Sequence, residues 1–159
     1  MSSGAFDVRK AESYSADELK NKTLVLVKPE AFARKLSGSI IGRFEEKGFD
    51  LLEVKKLRLT KPEAEEFYLV HKGKPFYDKL VASISAGPIV ALVLEIPKTR
   101  DTKGKTAVEV VRLMVGATNP SEASPGTIRG DYGLDITENV VHASDSAESF
   151  AREAKVIFK

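Results

Sequence analysis

One histidine at the end of an apolar run is the residue best suited to nucleophilic chemistry. Residues 139–146 have the sequence NVVHASDS, so His142 follows two valines and precedes small and polar residues. Asp145, with Glu148 three residues later, predicts a capping box that opens a helix. Because helix N-termini present unpaired N–H groups, we expect an anion site beside His142. The alternative is a packed, hydrogen-bonded core histidine.

Four further side chains have the chemistry to hold a polyphosphate. Lys28 ends an apolar run, and Arg112, Thr118 and Arg129 lie in or near the polar segment 116–133. Arginine makes planar, bidentate contacts with phosphate oxygens. For each arginine, a solvated surface charge is the alternative. The sequence has no glycine-rich phosphate loop of the Walker type, which excludes P-loop chemistry.

Composition limits the class of protein. A chain of 159 residues with 42% hydrophobic and 30% charged residues predicts one globular domain. We assign residues 1–21 to an N-terminal arm and residues 22–159 to the domain. The net charge of +2 gives no argument for a nucleic-acid partner, and no apolar run approaches the ~20 residues that span a membrane. Without Cys or an apolar leader in the first twenty residues, we expect a cytoplasmic protein.

The elements that must position these residues follow from periodicity and breakers. Leu24 to Val27 forms a continuous apolar run, residues 49–59 alternate, and residues 89–96 are again apolar, so each predicts a strand. Amphipathic patterns predict helices over residues 37–48, 61–70, 76–84, 107–115 and 146–157, with Ser37 as the N-cap of the first. A final strand ends at His142. The order βαββαβ predicts a ferredoxin-like α/β (α+β) sandwich with a four-stranded antiparallel sheet covered by helices.

Six motifs in order resemble those of the nucleoside diphosphate kinase family. They are Val27-Lys28-Pro29, Tyr68, Lys74-Pro75-Phe76, Gly116-Ala117-Thr118-Asn119-Pro120, Pro125-Gly126-Thr127-Ile128-Arg129-Gly130-Asp131 and the histidine segment 139–146. The resemblance covers residues 22–158. It implies transfer of the γ-phosphoryl group from a nucleoside triphosphate, usually ATP, to a nucleoside diphosphate. The reaction would be ping-pong, through a phosphohistidine at His142.

The resemblance also implies a role for each matching residue. His142 would be the nucleophile, Glu153 would orient it, and Ser144 and Tyr68 would bond near the transferred group. The nucleotide-binding residues would be Lys28 and Asn139 at the ribose and phosphate, Arg112, Thr118 and Arg129 at the phosphates, and Phe76, Leu80 and Ile136 at the base. Base stacking accepts any base, which would explain broad nucleotide use. Plain core positions are the alternative for the last three.

The resemblance implies a cofactor and an assembly as well. Mg²⁺ would arrive with the nucleotide phosphates, because the sequence shows no clustered carboxylates and we expect no metal ligands from the protein. The family forms hexamers or tetramers, so we expect a homo-oligomer, with nucleoside tri- and diphosphates as ligands and no membrane or specific nucleic-acid partner. Two other functions stay open: a nucleotide-binding regulatory module, and a phosphohistidine relay to proteins.

Three segments depart from the family pattern. Glu30-Ala31 stands where the family has Asp-Gly or Asp-Ala, directly after Lys28-Pro29. The arm is longer than usual, and residues 97–105 form an insertion with four cations and no apolar anchor. We expect a mobile inserted loop. It would lie on the surface, at the rim of the nucleotide cleft, where its cations would steer nucleotides, or at a subunit contact.

Overall fold

The computed structural model describes residues 4–159, and its core is a four-stranded antiparallel sheet. The strands are β1 (Lys22–Val27), β2 (Asp50–Leu57), β3 (Ile89–Glu95) and β4 (Val141–Ala143), in the spatial order β2-β3-β1-β4. The α-helices are α1 (Ala16–Leu19), α2 (Pro29–Ala33), α3 (Ser37–Lys47), α4 (Lys61–Phe67), α5 (Tyr77–Ile84), α6 (Ala107–Val115), α7 (Ile128–Tyr132) and α8 (Ala147–Ile157). Short 3₁₀ turns occupy Val8–Ser13, Leu69–His71 and Pro120–Glu122. The predicted ferredoxin-like order is confirmed.

The two faces of the central strand β1 lie in two separate hydrophobic clusters. Leu24 and Leu26 pack with α4, α5 and α8, whereas Val25 and Val27 pack with α3 and α6. Because successive side chains of a strand point to opposite faces, a continuous apolar run is what a strand covered on both faces requires. The prediction of a doubly buried first strand is confirmed.

Register places His142 on one defined face. His142 lies opposite Leu26 in the antiparallel pair of β4 with β1. Residues that are directly opposite share a face, so His142 faces the layer that contains α4 and α8. The strand pairing therefore decides that the histidine meets side chains from α8 rather than those from α3.

Two predicted helix starts are wrong by one residue. Helix α8 is capped by Ser146, whose hydroxyl accepts the N–H of Ser149, and not by an Asp145–Glu148 capping box. Asp145 instead accepts a hydrogen bond from the Ser149 hydroxyl. Helix α3 begins at Ser37 itself, with Leu36 at the N-cap. Short polar side chains compete for the same backbone donors, so a sequence pattern places such caps only to within a residue.

Part of the N-terminal arm packs on the domain. Val8 and Ala11 are buried in the cluster that also contains α8, and the Phe6 ring stacks on Phe150 at 6.3 Å. Ser15 and Glu18 form a capping box at the start of α1. The arm therefore covers part of the helix that carries Glu153. Residues 1–3 lie outside the described part of the chain.

The inserted loop after β3 starts at the end of the sheet opposite Lys28. Glu95 pairs with Lys22 at the start of β1, and the backbone N–H of Ala107 returns to the Lys20 carbonyl at 2.8 Å. Arg100 donates to the Lys47 carbonyl at 2.7 Å, so the loop caps the C-terminus of α3. The sequence predicted a mobile loop because residues 97–105 contain no apolar anchor. The hydrogen bond of Arg100 is a polar anchor that this prediction did not consider.

Candidate active site

The side chain of His142 is fixed at one nitrogen by a buried carboxylate. Its Nε2 lies 3.0 Å from Oε1 of Glu153, and the Ser144 hydroxyl donates to the same oxygen at 2.6 Å. Glu153 is only 6% exposed, so its charge is held in a poorly hydrated place. A carboxylate accepts hydrogen bonds, which assigns the ring proton to Nε2 and the free electron pair to Nδ1. This arrangement suits a nucleophilic Nδ1.

Aromatic side chains from the end of α4 restrict the histidine ring further. Phe67 and Tyr68 contact His142 edge-on, with ring centroids 4.9 and 5.9 Å away. Burial, followed by the negative charge of Glu153, raises the pKa of Tyr68 well above its usual range. Tyr68 therefore stays protonated and keeps a hydroxyl that can donate.

The two candidate phosphate-binding arginines bracket the histidine. Arg112 donates to the carbonyl of Ala143 at 3.3 Å, and Arg129 donates to the carbonyl of Val141 at 2.8 Å. These are the residues on either side of His142. Arg129 also bonds the Asn139 carbonyl at 3.1 Å, which fixes the plane of its guanidinium group. A guanidinium held by backbone carbonyls keeps its full positive charge, because carbonyls do not neutralise it.

Lys28 and Asn139 extend this cationic region. Lys28 donates to the Asn139 side-chain oxygen and to the Thr137 carbonyl, both at 2.9 Å. The Asn139 amide nitrogen donates to the Thr118 carbonyl at 3.0 Å, so it joins the strand end to the polar segment. Contacts therefore connect Lys28, Thr118, Arg129 and Asn139 around the strand end that bears His142.

The cations of this region repel one another. Burial, followed by the charge of Arg129, lowers the pKa of Lys28 to about 8. Burial, followed by the charge of Arg112, lowers the pKa of Arg129 to about 10. Within residues 4–159, none of these three cations has a carboxylate within salt-bridge distance. Lys28 and Arg129 are buried and Arg112 is exposed. A cluster of cations without an acidic partner is suited to an anionic ligand.

Two of the three candidate base contacts are exposed, and the third, Leu80, packs against the edge of the core. Phe76 is 45% exposed and Ile136 is 62% exposed, although both are large and apolar. Leu80 is half-buried, one turn beyond Phe76 on α5, and its N–H bonds the Phe76 carbonyl. Exposed apolar side chains such as Phe76 and Ile136 are available to a stacking ligand.

Two residues near the site were not predicted to matter. His71 contacts Phe76 edge-on at 5.4 Å, and its buried Nδ1 has no hydrogen-bond partner among residues 4–159. Burial lowers the pKa of His71, so its ring is mostly neutral. Glu30 accepts the backbone N–H of Val140 at 2.7 Å, two residues before His142. The Glu30 departure was visible in the sequence, but its contact, 110 residues away, was not.

The acidic and metal-ligating side chains of the described residues are dispersed. Among the described residues there is no group of three His, Cys, Asp or Glu side chains that could hold a metal ion. The residues on either side of His142 are contacted by two arginines, which suit phosphates rather than a bare cation. Also within residues 4–159, no helix has the length and apolar character needed to cross a bilayer.

Comparisons with known proteins agree with this geometry. The family model described as nucleoside diphosphate kinase matches residues 21–159. The nucleoside diphosphate kinase of Staphylothermus marinus is 54% identical over 138 residues, which are 87% of this chain and 92% of that protein. That of Hyperthermus butylicus is 52% identical over 137 residues, 86% of this chain and 91% of that protein.

Solved structures are similar as well. A crystal structure of the Aquifex aeolicus nucleoside diphosphate kinase superposes with a TM-score of 0.79 at 40% identity, covering 87% of this chain and 95% of that one. A nucleoside diphosphate kinase family protein from Babesia bovis gives 0.77 at 40% identity, covering 87% and 88%. In each of these comparisons, the matched region covers most of the length of the relative.

Proposed function

The chain belongs to the nucleoside diphosphate kinase family, and on that premise we propose which of its residues carry out the reaction. It is a phosphotransferase that moves the γ-phosphoryl group of a nucleoside triphosphate to a nucleoside diphosphate. The observation that carries the proposal is the bracketing of His142 by Arg112 and Arg129 on the carbonyls of its two neighbours.

His142 is the nucleophile in this proposal, and Nδ1 is the attacking atom. Nδ1 attacks the γ-phosphorus, the bond from that phosphorus to the bridging oxygen breaks, and the diphosphate leaves with the electron pair. The attacked imidazole gains positive charge, which Glu153 stabilises through Nε2. In the second half-reaction, a terminal phosphate oxygen of the acceptor diphosphate attacks the phosphohistidine, which restores the neutral ring.

The surrounding residues bind and orient the nucleotide. Arg112 and Arg129 neutralise charge on the phosphates, which is the main task in phosphoryl transfer. Tyr68 donates its hydroxyl to the transferred group, and Ser144 fixes the Glu153 carboxylate. The remaining binding residues are Lys28 and Asn139 at the ribose, Thr118 at the phosphates, and Phe76, Leu80 and Ile136 at the base. Exposure of Phe76 and Ile136 supports this assignment over a core role.

We also propose that Mg²⁺ enters bound to the nucleotide phosphates and that the protein assembles as a homo-oligomer. Mg²⁺ would neutralise phosphate charge while keeping most of its waters.

For the assembly, the edge strand β2 is largely exposed and Val54 on it is 52% exposed, which leaves a surface for a second copy. Mass measurement in solution distinguishes hexamer from tetramer. The cytoplasmic location and the boundary between arm and domain at residue 21 stay predictions.

A labelled phosphoryl group tests this assignment directly. The protein is mixed with γ-labelled ATP, and we expect an acid-labile label on the chain that any nucleoside diphosphate then removes. The His142→Ala variant should take no label and lose turnover, while its ADP affinity stays within about threefold. Near-normal turnover of that variant would refute the role of His142. Label that reaches added proteins but not diphosphates would favour the relay, and nucleotide binding without label would favour the regulatory module.

A further inference from the structure

The backbone just before His142 is held in an uncommon conformation. Val140 has φ of +79°, and the N–H of Val141 bonds the carbonyl of Asn139 at 2.9 Å. A bond from residue i+2 back to residue i around a positive φ is the rare, strained form of the γ-turn. For a β-branched residue such as valine this conformation is costly, so it persists only where the surroundings impose it.

Both backbone polar groups of Val140 are bound by the segment that follows β1. The N–H of Lys28 donates to the Val140 carbonyl at 2.9 Å, and the N–H of Val140 donates to Oε1 of Glu30 at 2.7 Å. Val140 is fully buried, so water cannot replace a lost partner of its N–H. Glu30 therefore supplies the only protein acceptor in the described chain for a donor that is costly to leave unpaired.

The turn decides where the reacting groups lie. It directs the carbonyls of Asn139 and Val141 to the same guanidinium group of Arg129, at 3.1 and 2.8 Å. His142 is the next residue, paired with Leu26. The Asn139 carbonyl accepts both the Val141 N–H that closes the turn and the Nε–H of Arg129, so the turn and the guanidinium group share one acceptor. The turn therefore links the position of Arg129 to that of His142.

We propose that Glu30 is a positioning residue for phosphoryl transfer, acting through the Val140 N–H to hold the turn that places His142 and Arg129. This inference rests on the proposed function of those two residues. The Glu30 side chain is only 15% exposed, and its second oxygen, Oε2, which does not contact Val140, lies 3.3 Å from Arg34. Its site at the first turn of α2 also orients the acceptor towards the neighbouring strand end.

Glu30 carries a charge as well as an acceptor oxygen, and the two effects are separable. Its charge raises the pKa of Lys28, in opposition to the larger effects of burial and of Arg129. Glu30→Gln removes the charge but keeps an oxygen that accepts the Val140 N–H. Glu30→Ala removes both. Loss of the charge acts on nucleotide binding through Lys28, whereas loss of the acceptor acts on the rate of transfer.

The test measures single-turnover phosphorylation of the protein by γ-labelled ATP, together with ADP affinity. We expect Glu30→Ala to slow phosphorylation by about tenfold or more, because displacement of reacting groups by about 1 Å costs up to about 10²-fold. Glu30→Gln should stay within about threefold of the parent rate. Arg34→Gln is the matched control, since it removes the ion pair and keeps the Val140 contact, and its rate should match the parent.

Amide hydrogen exchange keeps the proposal falsifiable if a variant is unstable. The Val140 amide should exchange faster in Glu30→Ala than in Glu30→Gln, while amides in the centre of β1 and β3 stay protected in both. Equal rates for Glu30→Ala and the parent would overturn the proposal, as would a Glu30→Gln variant as slow as Glu30→Ala. If the parent protein takes no label, the proposed function fails instead, and the Val140 exchange result still decides whether Glu30 holds the turn.

Discussion

The carboxylate oxygen Oε1 of Glu153 lies 3.0 Å from Nε2 of His142, across the gap between α8 and the sheet. The same oxygen receives the Ser144 hydroxyl, so its position is fixed from two sides. Because Glu153 is almost fully buried, the charge that it contributes is poorly screened by solvent. Because the fold brings Glu153 to Nε2, it also decides that the ring proton of His142 lies on Nε2 and not on Nδ1.

Replacing the Glu153 carboxylate should impair chemistry more than binding. Glu153→Gln keeps a hydrogen-bonding side chain at Nε2 but cannot offset the positive charge that develops on the attacked imidazole. We expect phosphorylation of His142 to slow by about 10²-fold, with little change in ADP affinity. Rapid mixing with γ-labelled ATP measures the rate. Glu148→Gln, at an exposed position of the same helix, is the control, and equal rates in the two variants would contradict the assignment.

Removal of the exposed aromatic ring should weaken all nucleotides alike. Phe76→Ala loses one base-stacking contact, which costs about 1–3 kcal/mol and does not depend on the base. Isothermal titration with ADP, GDP, CDP and UDP measures the loss. Leu113→Ala, at a 64% exposed position outside the site, should leave all four affinities unchanged. A loss confined to purines would show that the contact recognises a particular base.

Nucleotide affinity should fall as pH rises through about 8. The pKa of Lys28 is lowered to about 8, so free protein loses this cation above that pH, and binding of an anion then requires uptake of a proton. The fall approaches tenfold per pH unit at most. ADP titrations between pH 7 and 9 test this. Lys28→Met should bind more weakly, with an affinity that is flat over that range, because the pKa of Arg129 lies higher, at about 10.

The lowered pKa of Lys28 also predicts that the stability of the fold changes with pH. Unfolded Lys28 has its ordinary pKa of 10.5, so between about 8 and 10.5 the unfolded state binds more protons than the folded state. The free energy of unfolding therefore rises with pH over this window through Lys28. Urea unfolding of the parent and of Lys28→Met at pH 7.5 and 9.5 measures the difference. A parent that gains no more stability than Lys28→Met would contradict the lowered pKa.

The cations of the inserted loop should not steer nucleotides at physiological salt. The loop starts beside Lys22, four residues along β1 from Leu26, the partner of His142, and four strand residues span about 13 Å. That exceeds the screening length of about 8 Å. Serine at Lys98, Arg100, Lys103 and Lys105 should leave the salt dependence of turnover unchanged. Arg100→Ser alone should lower the free energy of unfolding by about 0.5–1 kcal/mol, through its Lys47 contact.

The amino-acid sequence by itself determined the elements and the chemistry. Apolar runs that are continuous in β1 and β3 predicted strands covered on both faces, because a strand exposes a side chain at every second residue unless both faces are buried. The motifs around His142 and Arg129 identified the family. These features depend on residues that are close along the chain, where spacing alone fixes what shares a face.

Only the tertiary structure decided which distant groups meet. Glu30 reaches Val140 across 110 residues, Arg100 reaches Lys47 across 53, and the register of β4 on β1 turns His142 towards α8. A one-residue slip in that register would turn the histidine to the other face of the sheet, away from Glu153. No spacing within the sequence encodes such pairings directly. They follow from how both faces of one sheet are buried at once.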